Sequence, residues 1–469
     1  MHRGPSLAAL AVTTLTALLI APPGAAAHGL VGDTDLPVPQ WLFAWAAAIV
    51  LVASFLALGA LWSSPRLERD DARREWRIPV PVQVACGLVG FAFFALVVVA
   101  ALAGTTEPTD NLAPTAVYVL FWVVIALASA AFGDLFALFS PWRSVGRAAE
   151  ALGLRRVLPV REYPARLGQW PAALTILAFG WLELVSVDGQ SPRVLGVLAL
   201  LYLVVQLGGQ ALWGSRAWSR NGDGFGALFA LFARLSPLDW DTDRVRLRRR
   251  PSGLSALRPT SGTVALLCVS LGVTTFDGVS GGPAWGSTGR AVAQDLIDGG
   301  MGPALAHQLT GTIGILLAIA LVVGVYQLGV RGMVGVARGR RTHDELSRAF
   351  VHSLVPIALA YVLAHYFSFV VFQGQALPAL LSDPLGDGAD LLGAADWTID
   401  RGAVSPDVIW YVQTVTLIVG HVGGLVLAHD RALTVFRRPR AVLRSQYWML
   451  AVMVGFTSVG LWLLSSVGT

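Results

Sequence analysis

Ten apolar runs, each close to the length of a bilayer-crossing helix, recur along this chain and leave few folds open to it. They fall at about 41–62, 82–103, 115–139, 171–187, 194–213, 262–280, 303–328, 349–373, 408–428 and 446–466. A helix needs about 20 such residues to cross the hydrocarbon core, where each backbone N–H and C=O has to be satisfied within the segment. Composition points the same way. Apolar residues make up 55% of the chain and charged ones 13%, too much greasy surface for a soluble core and too few charges to cover one. The expected fold class is all-α: a polytopic integral membrane helical bundle of about ten transmembrane helices.

The charges between the runs are distributed unevenly. All 34 basic residues are arginine, and loops 63–81, 140–170, 214–261, 329–348 and 429–445 hold 30 of them. The intervening loops hold only Arg193, Arg290 and Arg401, with Arg3 near the start of the chain. The positive-inside rule then places the arginine loops in the cytoplasm and both mature termini outside, in the cell (plasma) membrane. Short arginine blocks suit the anionic lipids of a bilayer surface, and nucleic acid is not an expected partner. Cys86 and Cys268 both fall inside spans, which argues against an extracytoplasmic disulfide and against a thiolate metal site.

Residues 1–27 read as a cleaved signal peptide. Arg3 precedes an apolar run from Leu7 to Ile20, followed by Pro22, Pro23 and the small residues Ala25, Ala26 and Ala27. Cleavage after Ala27 leaves His28 at the head of a transmembrane domain, 28–469, and offers a metal both its imidazole and a free amine. The plainer reading is that His28 is only the first polar residue after an ordinary cleavage site. Within the cytoplasmic loop 214–261, the stripe Phe225, Leu228, Phe229, Phe232 and Leu235 predicts an in-plane or re-entrant helix. A similar string at 133–142 suggests a short internal repeat of the kind transporters use. The outer loops 281–302 and 374–407, rich in glycine, proline and aspartate, are long enough to form a lid.

Histidines stand out against this background. His352, His365, His421 and His429 lie in or beside the eighth and ninth runs, and an ionisable group within a span usually marks a pathway, a ligand or a partner. At about 1.5 Å of rise per residue, His352 and His365 are some 20 Å apart along one helix and cannot hold one ion. Sorting by side gives two groups. The outer one is His365, His307, Asp277 and Glu183 with His28, nitrogen and oxygen donors suited to a divalent ion such as zinc or copper. In it His28, His307 and His365 are the candidate ligands, and Asp277 or Glu183 the candidate ligand or general base. The inner group is His352, His421, His429, Asp430 and Asp134, for which hydrogen bonding or proton relay is as natural as metal binding. The plain alternatives are that His352 and His421 simply bond neighbouring helices and that His429 with Asp430 forms an exposed helix cap. Gly420 and Gly424 flank His421 at a spacing that lets a second helix approach closely.

Several stretches resemble a family of bacterial, largely actinobacterial, membrane proteins known as fenitrothion hydrolases. These are Ala27 to Trp45, Asn111 to Val123, Gly133 to Arg147, Phe350 to Gln375, Gly420 to Leu433 and Arg444 to Ser465. The resemblance implies hydrolysis of an apolar organophosphorus triester that reaches the site from the bilayer. It carries over no catalytic residue. Such a reaction needs a nucleophilic hydroxide and a stabiliser for charge growing at phosphorus, both of which a metal supplies. No G-x-S-x-G elbow, H-E-x-x-H pair or P-loop occurs. Three functions follow as expectations: a metal-dependent membrane hydrolase, a copper-handling protein built on His28, and a secondary transporter or channel. A partner subunit is not specified by any of them.

Overall fold

The computed structural model describes residues 40–68, 72–153, 160–241, 244–248, 252–337, 340–436 and 439–466. The signal segment and His28 lie outside the described residues. Among the described residues, seven helices are long and apolar enough to cross a membrane: α2 (Val80–Ala103), α3 (Leu112–Phe132), α6 (Pro192–Trp213), α8 (Ser261–Ser280), α10 (Pro303–Ala337), the helical stretch His343–Ser382 and α13 (Pro406–Val435). Three further helices, α1 (Gln40–Leu61), α5 (Trp170–Leu184) and α14 (Pro439–Ser466), occupy the remaining places where the sequence predicts spans, and the shorter α4 (Pro141–Ala151) lies between α3 and α5 in the chain. The fold is an all-α bundle, as expected.

Local chemistry sets the ends of these helices. Asn111 caps α3 by accepting from the Ala113 N–H, and Thr260 and Thr263 form a reciprocal capping box at the start of α8. Pro192 and Pro406 open α6 and α13, where a missing N–H costs nothing. The stretch His343–Ser382 is interrupted. α11 (His343–Phe350), with its Thr342 and Glu345 capping box, leads through one 3-10 turn into α12 (Leu354–Gln373).

α8 runs through the centre of the bundle, buried along most of its length, with α5, α10 and α12 around it. α12 and α13 form the tightest pair. A Cβ on Gly420 would sit 2.2 Å from that of Ala360, and one on Gly424 only 2.7 Å from the Ser353 carbonyl oxygen. The two glycines therefore bring backbones together as their spacing predicts, which in a bilayer replaces the hydrophobic drive that lipid removes.

Three expectations change. Of the two placements predicted for α7 (Gly224–Ala233), in-plane or re-entrant, burial on nearly every face goes against a helix lying on the surface, with Leu228, Phe229 and Phe232 fully enclosed. Ring packing explains this: Phe225 and Phe229 meet Phe121 of α3 at 4.7 and 5.7 Å between centroids, and Phe225 meets Phe179 of α5 at 5.0 Å. The outer loop 281–302 is largely the helix α9 (Pro283–Asp298). Two arginine loops are also not mere connections. β1 (Ala72–Arg77), β2 (Leu238–Asp241) and β3 (Arg244–Arg248) form an antiparallel sheet in the order β1-β3-β2, with Trp76 and Trp240 each opposite Val245. The sheet holds loops 63–81 and 214–261 on one side of the bundle, as the arginine pattern requires. Trp240 Nε1 donates to the Phe132 carbonyl, and its ring fills the space beside Gly133, whose φ of +89° and lack of a Cβ leave room for it.

Candidate functional site

Four helices converge near the face opposite the arginine loops. On α8, the Thr274 and Thr275 hydroxyls donate to the Ser270 and Leu271 carbonyls, back-bonds that tend to bend a helix just before Asp277. α12 presents His365 and Tyr366 in succession. His365 Nε2 donates to Asp277 Oδ2 at 2.8 Å, and the Tyr366 hydroxyl donates to the same oxygen at 2.7 Å. Two donors on one oxygen fit an ionised carboxylate, which accepts only. The His365 and Asp277 side chains keep 23% and 18% of their exposure, so the pair is accessible from one side.

Glu183, near the end of α5, lies within electrostatic reach of Asp277 and Tyr366. Its Oε2 is buried with no partner in hydrogen-bonding geometry. The last wall is α3, which opens into a π-helix over Ala116–Val124. Such widened turns recur at functional sites because they re-aim side chains. Here Tyr118 donates to the Gly189 carbonyl at 2.6 Å, and Trp122 packs against Phe179 at 5.1 Å with Nε1 near Tyr366. Trp122 Nε1 is likewise buried without a bonded partner. The Trp122 N–H and the Glu183 carboxyl thus flank the Tyr366 hydroxyl, a donor and an acceptor on either side of a group that can do both.

Of the outer group, the fold brings together His365, Asp277 and Glu183. His307 is exposed on the first turns of α10 and does not join them. Among the described residues no group of three histidine, cysteine or acidic side chains is placed to hold a metal ion. Of the proposed ligands, His307 lies apart and His28 is outside the described residues, so the described residues alone do not supply a zinc or copper ligand set. Comparison with protein-family models, curated proteins and solved structures finds no match.

The inner group does not meet at one point. Asp134 lies 3.7 Å from Arg143, whose Nε is 3.9 Å from Asp223. Asp223 also accepts from Trp142 and Tyr202 and caps α7, a fully satisfied structural node. The strings at 133–142 and 222–232 are alike in this respect, since each Gly-Asp pair starts a short buried helix. His352 and His421 lie in the seam between α12 and α13, 1% and 0% exposed. His421 Nδ1 is 2.8 Å from the Leu417 carbonyl, while its Nε2 and both nitrogens of His352 have no bonded partner.

His429 and Asp430 are not the exposed cap predicted for them, being 2% and 0% exposed. Asp430 accepts from Trp62 Nε1 and from the Arg66 and Leu67 N–H groups, and His429 Nε2 donates to the Trp62 carbonyl. Together they tie α13 to the loop after α1. Arg431 extends the tie, 3.3 Å from Glu68 and bonded to the Ser255 carbonyl. Burial pushes the Glu68 carboxyl above its usual range, with Arg431 opposing and Asp430 adding to the shift.

Proposed function

We propose that this chain is a ten-span membrane protein whose His365–Asp277 pair, with Tyr366 and Glu183, takes up and releases a proton from the extracytoplasmic side and couples it to movement of a small polar solute. The observation that carries this reading is one carboxylate oxygen shared by His365 and Tyr366, beside a second carboxyl whose Oε2 has no partner. These groups come from three helices of an apolar bundle and face one another. Ionisable side chains so placed mark proton relays in pumps and transporters. Breaks in neighbouring helices, the π-stretch of α3 and the buried half-length α7, fit the irregular backbone that lines transport sites.

The test is proton exchange in liposomes. Purified protein carrying an interior pH dye should respond to an external acid step, and Asp277→Asn and His365→Gln should each abolish the response. A response that survives both substitutions rules the reading out.

A second reading, hydrolysis of an apolar phosphotriester, is favoured by the pair itself. Asp277 orients the ring through Nε2, which leaves Nδ1 to accept a proton from water. The resulting hydroxide attacks phosphorus, and the nitrophenolate leaves with the P–O bonding electrons. Nitrophenol release from fenitrothion that is lost in His365→Gln would favour it over transport. A metal-assisted version, with zinc or copper, needs ligands beyond the described set, His28 among them. Chelator-sensitive release would be its signature.

A further inference from the structure

Two imidazoles buried in the α12–α13 seam carry nitrogens with no bonded partner, and the proposed proton site opens at one end of that seam. His421 Nε2 and both ring nitrogens of His352 are enclosed. The carbonyls of Ala349 and Leu427 lie near the His352 ring but outside bonding geometry. Buried polar atoms are almost always satisfied by protein or by ordered water; His421 Nε2 has no protein partner, and His352 has only the poorly aligned Ala349 and Leu427 carbonyls.

Their order along the seam is regular. Tyr361 lies one turn from His365 on α12, and its ring is 6.0 Å from that of His421 on α13. Leu427, beside His352, is six residues beyond His421, about 9 Å along the axis. One turn further is Arg431, within electrostatic reach of His352 and 3.3 Å from Glu68. The Arg431 and Glu68 side chains keep 18% and 26% of their exposure at the arginine face. Polar groups therefore recur from one face to the other along the closest helix contact in the bundle.

We infer that the α12–α13 seam holds a chain of ordered waters bridging His421 and His352, and that it conducts protons between the His365–Asp277 pair and Glu68 at the arginine face. His421 takes up and gives back a proton at Nε2, its Nδ1–H staying on the Leu417 carbonyl, and His352 accepts a proton at one nitrogen and releases one from the other, so no net chemistry occurs. The inference rests on the proton-exchange reading and adds its second opening.

The full chain in liposomes tests it, with His352→Leu, His421→Leu and the polar substitutions His352→Gln and His421→Gln. An external acid step follows flux, and infrared titration of the histidine and carboxylate bands follows the His365–Asp277 pair directly. In every folded variant, flux should fall about a hundredfold, the lower range for a positioned proton-transfer group, while the pair still titrates. The glutamine variants answer if the leucine variants fail to fold. Undiminished flux in folded variants of both histidines overturns the inference. Wild-type protein whose pair titrates without flux across the membrane also overturns it and leaves the one-sided site standing. Loss of both signals in wild-type protein removes the site and the path together.

Discussion

Removing the Asp277 charge with Asp277→Asn tests whether the His365 contact is an ion pair or an incidental approach. Breaking a buried pair by deleting one partner ordinarily costs about 3–5 kcal/mol, because the survivor is left uncompensated. Both side chains here keep about a fifth of their exposure, and water reaching them lowers the expectation to roughly 2–3 kcal/mol. Tyr366 keeps an oxygen acceptor in asparagine, so its bond weakens without vanishing. His365→Gln should cost a comparable amount. The double variant should cost no more than about 1 kcal/mol beyond either single one, since the first substitution has already removed the interaction. The assay is denaturant unfolding of the four proteins in mixed micelles, followed by tryptophan fluorescence. Single-variant losses that sum to the double-variant loss within about 0.5 kcal/mol would show that the residues act independently and would refute the reasoning.

Two further expectations bear on the scaffold. Gly420→Ala places a methyl 2.2 Å from the Ala360 Cβ, so α12 and α13 should separate at a cost of about 1–3 kcal/mol in the same unfolding assay, and adding Ala360→Gly should recover most of the loss. Glu68 is raised above its unfolded value. Its contribution to stability is therefore complete below about pH 4 and is lost as pH rises through the folded value. The unfolding midpoint of Glu68→Gln should lack that part of the wild-type pH slope; an unchanged slope would remove Glu68 as its source.

Much of this architecture can be read one residue at a time. Apolar run length and arginine placement are properties of the chain alone, and the sheet joining loops 63–81 and 214–261 agrees with the side assigned to both. Counting rise per residue also set Asp277, Glu183 and His365 at a common depth, and they do meet. The same count wrongly added His307, because depth carries no information about which way a helix faces. The π-stretch of α3 was invisible, since a shift in backbone bonding over Ala116–Val124 depends on what packs beside it. That concealed the contribution of Trp122. α7 reads as amphipathic only if its other faces are assumed wet, and Phe121 and Phe179 keep them dry. β1, with the sequence Ala-Arg-Arg-Glu-Trp-Arg, has no alternation of apolar residues to announce a strand.

The three-stranded sheet has a consequence for biosynthesis. Glu75 and Arg244, paired across it, are separated by 169 residues. While the chain is being made, the first arginine loop has to remain without its partner until the helices between them have been threaded through the bilayer. Closing the sheet then joins the two loops that bracket α2, α3, α5 and α6, all of which precede the helices that carry Asp277 and His365 in the chain.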